Sequence, residues 1–101
     1  MLKRALVLAL VALASSAGTV DAGNRGVVGC HYAVDYNLVV SSARNMTCRA
    51  AGRELRRYKK SISRRFRTPG GFVCTRVSGG TFGGQWRCVR GRQAFRFEFG
   101  D

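Results

Sequence analysis

GFVCTRVSGGTFGGQWRCVRG, residues 71–91, sets two cysteines on either side of a segment holding four glycines. Phe72 to Val77 and Gln85 to Arg90 have the β-branched, aromatic and alternating character of strands, and Ser78 to Gly84 supplies the backbone freedom of a turn. Cys74 and Cys88 are symmetric about Thr81, so a regular hairpin sets them opposite each other. A phosphate-binding loop would need GxxxxGK[ST], and a dinucleotide fingerprint GxGxxG opening a helix. The segment matches neither, and a strand follows it. The expectation is a β-hairpin.

Downstream, Arg90-Gly91-Arg92 makes a turn or a one-residue bulge, because the apolar parity changes from even (Trp86, Cys88) to odd (Phe95, Phe97, Phe99) across it. Gln93 to Phe99 is then a strand with its phenylalanines inward and Arg96 and Glu98 outward.

Upstream, NMTCRAAGRELRRYKKSISRRF (residues 45–66) carries Cys48, Ala51, Leu55, Tyr58, Ile62 and Phe66 at spacings of 3 and 4, the apolar face of a helix. Asn45 or Thr47 can cap its start, and Thr68-Pro69-Gly70-Gly71 stops it. Gly52 lowers helix propensity by about 1 kcal/mol against alanine, which points to a close approach to the sheet. The opposite face carries Arg49, Arg53, Arg56, Lys60 and Arg64, with Arg57 and Arg65 beside them, as a continuous basic stripe. Glu54 is the only carboxylate among them, and its arginine neighbours are expected to hold it in a salt bridge. Like charges stacked at helical spacing are mildly destabilising, so the stripe suits an anionic partner better than solubility alone.

Residues 32–40, YAVDYNLVV, alternate as a half-buried strand, with Asp35 and Asn37 as poor strand formers that would allow a break. The expected order is β-α-β-β-β: an α+β fold with one amphipathic helix packed on a small antiparallel-rich sheet.

Residues 1–22 read as a secretory signal peptide. Lys3 and Arg4 precede an apolar run of ten residues, Ala5 to Ala14, and cleavage is expected at Ala22 or Ala17. A transmembrane helix would need about twice that apolar length. The remaining 79 residues form one small domain, in which a covalent staple is expected. Cys30, Cys48, Cys74 and Cys88 fit two disulfides in an oxidising compartment. A zinc site is excluded by gaps of 17, 25 and 13 residues and a single histidine.

Four cysteines allow three connectivities. Cys74–Cys88 follows from the hairpin and leaves Cys30–Cys48, which requires the chain to fold back near residues 35–37. A straight first strand favours Cys30–Cys74 with Cys48–Cys88. Both arrangements remain open at this point.

The full chain carries 18 Lys and Arg against 5 Asp and Glu, a net charge of +13. Without residues 1–22 it holds 16 against 4, or +12, and 14 of the cations are arginine. Such a field attracts nucleic acid, anionic lipid and acidic polymers alike, and arginine suits bidentate contact with phosphate or carboxylate.

In size, charge and export the chain is similar to microbial ribonucleases, which use Glu, Arg and His together with the histidine near the C-terminus. Here His31 precedes everything and would need Glu98 within reach of one scissile group. No nucleophile motif is present, and Asn45-Met46-Thr47, an N-glycosylation sequon, coincides with the helix cap.

From Asn37 onward the chain resembles small secreted four-cysteine bacterial proteins of unknown function, common in actinobacteria. The shared pattern is Asn45-Met46-Thr47-Cys48 entering an Arg-rich helix, then Gly71-Phe72-Val73-Cys74 and Cys88-Val89-Arg90-Gly91. It closes with Ala94-Phe95-Arg96-Phe97-Glu98-Phe99-Gly100-Asp101. The resemblance implies an exported bacterial domain and carries over no catalytic residue.

The expectation for function is an exported, non-enzymatic cationic binding module without cofactor or metal. It holds a cell-wall polymer, nucleic acid without sequence preference, or anionic lipid, through Arg49, Arg53, Arg56, Arg57, Lys60, Arg64 and Arg65. The alternatives are a secreted effector, either ribonuclease-like or antimicrobial, and a structural envelope protein.

Overall fold

A computed structural model describes residues 26–80 and 82–100. The expected signal peptide lies outside the described residues. Seven elements follow in order: β1 (Val27–Asp35), β2 (Leu38–Arg44), α1 (Cys48–Arg57), β3 (Arg65–Arg67), β4 (Val73–Gly80), β5 (Gly83–Arg90) and β6 (Gln93–Gly100). The six strands make one sheet in the order β1-β2-β6-β5-β4-β3, antiparallel throughout. One helix packs on this sheet, so the α+β class holds, with two strands added to the expected order.

The first added strand comes from the turn at Tyr36-Asn37. Asp35 Oδ1 accepts from the Tyr36 amide at 2.8 Å, the local side-chain bonding by which Asp favours turns over strands. The segment 32–40 is therefore the closed end of a hairpin. That reversal returns Cys30 to the start of the helix, where it is bonded to Cys48, with Cα atoms 5.8 Å apart. Cys74 and Cys88 are register partners in the β4–β5 hairpin and form the second disulfide. The alternative connectivity, Cys30–Cys74 with Cys48–Cys88, is overturned by the turn that the straight-strand reading lacked.

The second added strand replaces the second half of the expected helix. α1 ends at Arg57, and Tyr58 is extended (φ −84°, ψ 107°) with its amide capping Leu55 O. Continuing the helix would stack Arg56 and Arg57 on Lys60 at i,i+4 and i,i+3, while Ser61 and Ser63 offer the backbone competing hydrogen bonds. Tertiary contacts take over instead. Tyr58 Oη donates to Ser61 O at 3.0 Å, and Trp86 Nε1 donates to Ser63 O at 2.8 Å. Tyr58 and Phe66, read as one helix face, meet by chain reversal as stacked rings 4.3 Å apart. β3 then pairs Arg65, Phe66 and Arg67 with Thr75, Cys74 and Val73.

The core lies on one face of the sheet. Trp86 stacks on Phe97 at 5.3 Å and Phe72 meets Phe95 edge-on at 5.1 Å. Each such ring removed from water contributes about 1.5–3 kcal/mol. α1 covers β1 and β2, and Tyr58, Ile62, Phe66 and Phe72 pack into the same core. Gly52 marks a close approach of the helix to β1, since a Cβ there would overlap the Tyr32 ring. At the other end, β4 runs to Gly80 and β5 starts at Gly83, so the glycines lie within the hairpin strands. A Cβ on Gly79 would meet the backbone of Gly83 and Gly84 across it. Gly91, at φ +60°, takes part in the two-residue turn between Arg90 and Gln93, which are paired. This turn accounts for the parity change.

Candidate cationic site

Thr47 starts α1, accepting the Ala50 amide at 3.0 Å, so Thr47 rather than Asn45 is the cap. Asn45 has φ +54° and donates from Nδ2 to Arg92 O at 2.8 Å. The helix then presents Arg49, Arg53, Arg56 and Arg57, all exposed. Arg56 lies over the Tyr32 ring, 5.5 Å from its centroid, and donates to Tyr32 Oη at 3.2 Å. Arg57 donates to Glu54 Oε1 at 3.4 Å.

The continuous helical stripe is corrected by the early helix end. Lys60 sits in the segment after Arg57, Arg64 at a bend and Arg65 on β3. Of the seven cations expected to act together, the fold gathers Arg57 and Lys60 into one concavity. It adds Lys59 and Arg67, neither of which lay on the expected stripe. With Tyr58, Thr68 and Pro69 these side chains line a depression of about 360 Å³. The segment after α1 supplies two of its cations and the end of β3 a third, so its walls come from residues 59, 60 and 67 as well as the helix.

Glu54 does more than pair with arginine. It is buried, and its carboxylate accepts the Gly70 amide as well as the Arg57 guanidinium. Arg90 donates to Gly70 O at 2.7 Å and lies 4.5 Å from the centroid of Phe72. The turn at Pro69-Gly70 is thereby clamped from both sides, which fixes Pro69 and Thr68 at the rim of the depression. Periodicity could not reveal this role, because the partner is a backbone amide 16 residues away.

A wider depression of about 600 Å³ lies at the other end of the sheet, lined by Tyr36, Asn37, Ser78, Gln85, Glu98 and Phe99 among others. Among the described residues no Lys or Arg lines it, so this cavity and the cations of α1 and the segment after it are separate features. His31 and Glu98 are not brought together. Glu98 pairs with Val39 and Val39 with Ala33, so a whole strand intervenes and His31 lies two residues further along. Two strand spacings amount to about 10 Å, beyond hydrogen-bond reach of a shared group. No helix among the described residues is long and apolar enough to cross a membrane.

No protein-family model, curated protein or solved structure matches this chain.

Proposed function

We propose that the chain is an exported cationic binding module that holds an anionic polymer or surface through the helix and the segment following it. One observation carries this reading: beyond residue 22 the chain holds 16 Lys and Arg against 4 Asp and Glu, so its own carboxylates can neutralise only a quarter of its cations, and of these carboxylates Glu54 is paired with Arg57. Positive charge that the fold does not neutralise internally is available to an external anion, and the depression at Arg57, Lys59, Lys60 and Arg67 offers it a concave seat. Arg49 and Arg53 extend the same cationic surface along the helix. Guanidinium groups bind carboxylate, sulfate or phosphate through paired N–H donors, and the lysines add point charge.

Binding of this kind releases counterions and falls steeply with salt. Affinity for heparin, DNA and phosphatidylglycerol vesicles is therefore measured from 20 to 300 mM salt. The expected result is binding at low salt that weakens linearly in log–log form. Absence of binding to all three at the lowest salt refutes the reading.

A further inference from the structure

We propose that the sheet face opposite the helix is a second anion-binding surface, and that its occupant is a linear acidic polysaccharide. This rests on the cationic-module reading for its chemistry but uses different residues.

Strand alternation sends every second side chain to the face away from the core. Trp86, Cys88, Phe95 and Phe97 point inward and are buried, so Arg87 and Arg96 between them point outward, and both are exposed. The register makes them direct partners on β5 and β6. The row continues on either side, with Arg96 paired to Ser42 on β2, Arg87 to Thr75 on β4 and Thr75 to Arg65 on β3. Five neighbouring strands thus present Ser, Arg, Arg, Thr and Arg in one line across the sheet. At about 4.8 Å per strand the line is ~19 Å long.

Three features give the line a ligand rather than a purely structural meaning. Like charges directly opposite on neighbouring strands destabilise a sheet, so the fold gains nothing from Arg87 facing Arg96. Every member of the line is a hydrogen-bond donor, and the guanidinium groups carry paired donors of carboxylate and sulfate geometry. The surface is also indented there, in a depression of about 150 Å³ whose lining includes Ser42, Arg87, Ala94 and Arg96.

The same residues select among polyanions. Neither this row nor the next (Arg44, Ala94, Val89, Val73, Arg67) contains an aromatic side chain, and Phe95, which also lines the depression, is buried in the core, so these rows offer no exposed ring for the base stacking on which single-stranded nucleic acid binding depends. Bulky apolar side chains are also sparse here: Val73 and Val89 are half-buried, Ala94 is buried, and Val27, paired with Arg44 at the β1 rim of the depression, is exposed but stands as a single valine, too little to anchor the face in a bilayer. What remains is a track of guanidinium groups interspersed with hydroxyl donors, with Arg96 and Arg87 side by side at its centre, which a sugar chain bearing carboxylate or sulfate groups can match.

The test compares wild type, a sheet-face variant (Arg65→Ser, Arg87→Ser, Arg96→Ser) and a helix-side variant (Arg49→Ser, Arg53→Ser, Lys59→Ser, Lys60→Ser). Heparin dodecasaccharide, oligo(dT) and phosphatidylglycerol vesicles are the probes. For heparin, the sheet-face variant is expected to lower the slope of log K against log[salt] by about 3, one per lost contact. The helix-side variant keeps the sheet-face share. Wild-type slope and affinity in the sheet-face variant, with binding lost in the helix-side variant, overturns the second surface and leaves the module reading intact. Failure of wild type to bind any probe overturns both. An equal loss for oligo(dT) or vesicles in the sheet-face variant overturns the assignment of a polysaccharide. Should the triple variant fail to fold, Arg87→Ser alone is read by the same slope, expected to fall by about 1, and an unchanged slope is again fatal.

Discussion

Replacing Glu54 by alanine should destabilise the protein by about 2–3 kcal/mol. The carboxylate is buried and receives the Gly70 amide, a charge-assisted hydrogen bond whose loss costs about 1.5–3 kcal/mol. The Arg57 contact adds less than about 1 kcal/mol, since that arginine's side chain is 57% exposed. Alanine returns a few tenths through helix propensity. Gly70→Ala probes the same contact from the other side. Its new Cβ would overlap the Glu54 carboxylate, while the backbone at Gly70 has no positive φ to forbid a side chain. Overpacking of this kind costs about 1–3 kcal/mol. Removing the carboxylate clears that space, so the double variant should cost less than the sum of the singles by about 1 kcal/mol or more. Guanidinium unfolding of the disulfide-intact protein measures all three. If the single costs add to within about 0.5 kcal/mol, or if Glu54→Ala costs less than that, the clamp described here is not what holds the turn.

Trp86→Phe should keep the stacking on Phe97 but leave Ser63 O without its donor, costing about 1–2 kcal/mol and raising hydrogen exchange in residues 58–64 above that in β5. Uniform exchange changes would contradict a local role. Joint replacement of Cys30 and Cys48 by alanine should lower stability by about 2–4 kcal/mol, read from the unfolding midpoint. An unchanged midpoint would mean that the β1–β2 hairpin and helix hold together without the bond. Arg87→Glu should stabilise the sheet by about 0.2–1 kcal/mol, because it turns an opposed like-charge pair into an opposite-charge pair. It should weaken heparin binding at the same time, and a loss of stability would show that the two guanidinium groups do not repel.

The C-terminal half of the sheet was legible from residue pattern, and the N-terminal half was not, for a reason visible in the register. At Gly91 a two-residue turn moves the inward set from Trp86 and Cys88 to Phe95 and Phe97, so the turn announces itself as a change of parity. At Tyr36-Asn37 a second two-residue turn should do the same. Here the register shifts between Ala33 and Asp35, and Tyr32 ends up opposite Val40, both even. The bulge cancels the parity change, and two strands read as one. The helix end was hidden differently. Tyr58, Ile62 and Phe66 keep helical spacing, and what ends the helix is a set of contacts to Ser61, Ser63 and Trp86, one of them 23 residues away. The expected cations are accordingly present but regrouped. Arg87 and Arg96 were each outward by alternation, yet their pairing needs the length of the turn at 91–92, which composition leaves as turn or bulge.

The place of β6 has a consequence for how the molecule is made. It is the last strand in chain order and third in the sheet, joining β2 to β5. Each disulfide closes on one side of it: Cys30–Cys48 binds the β1–β2 hairpin to the helix, and Cys74–Cys88 binds β4 to β5. Until residues 93–100 arrive, the two stapled pieces share no strand pairing, and Val40, Trp86 and Phe66 lack the Phe97 surface that unites them. A chain emerging with its N-terminus first therefore presents both members of each cysteine pair, in two separate pieces, before the strand that gives them a common core. Its final strand acts as the latch that makes one domain of them.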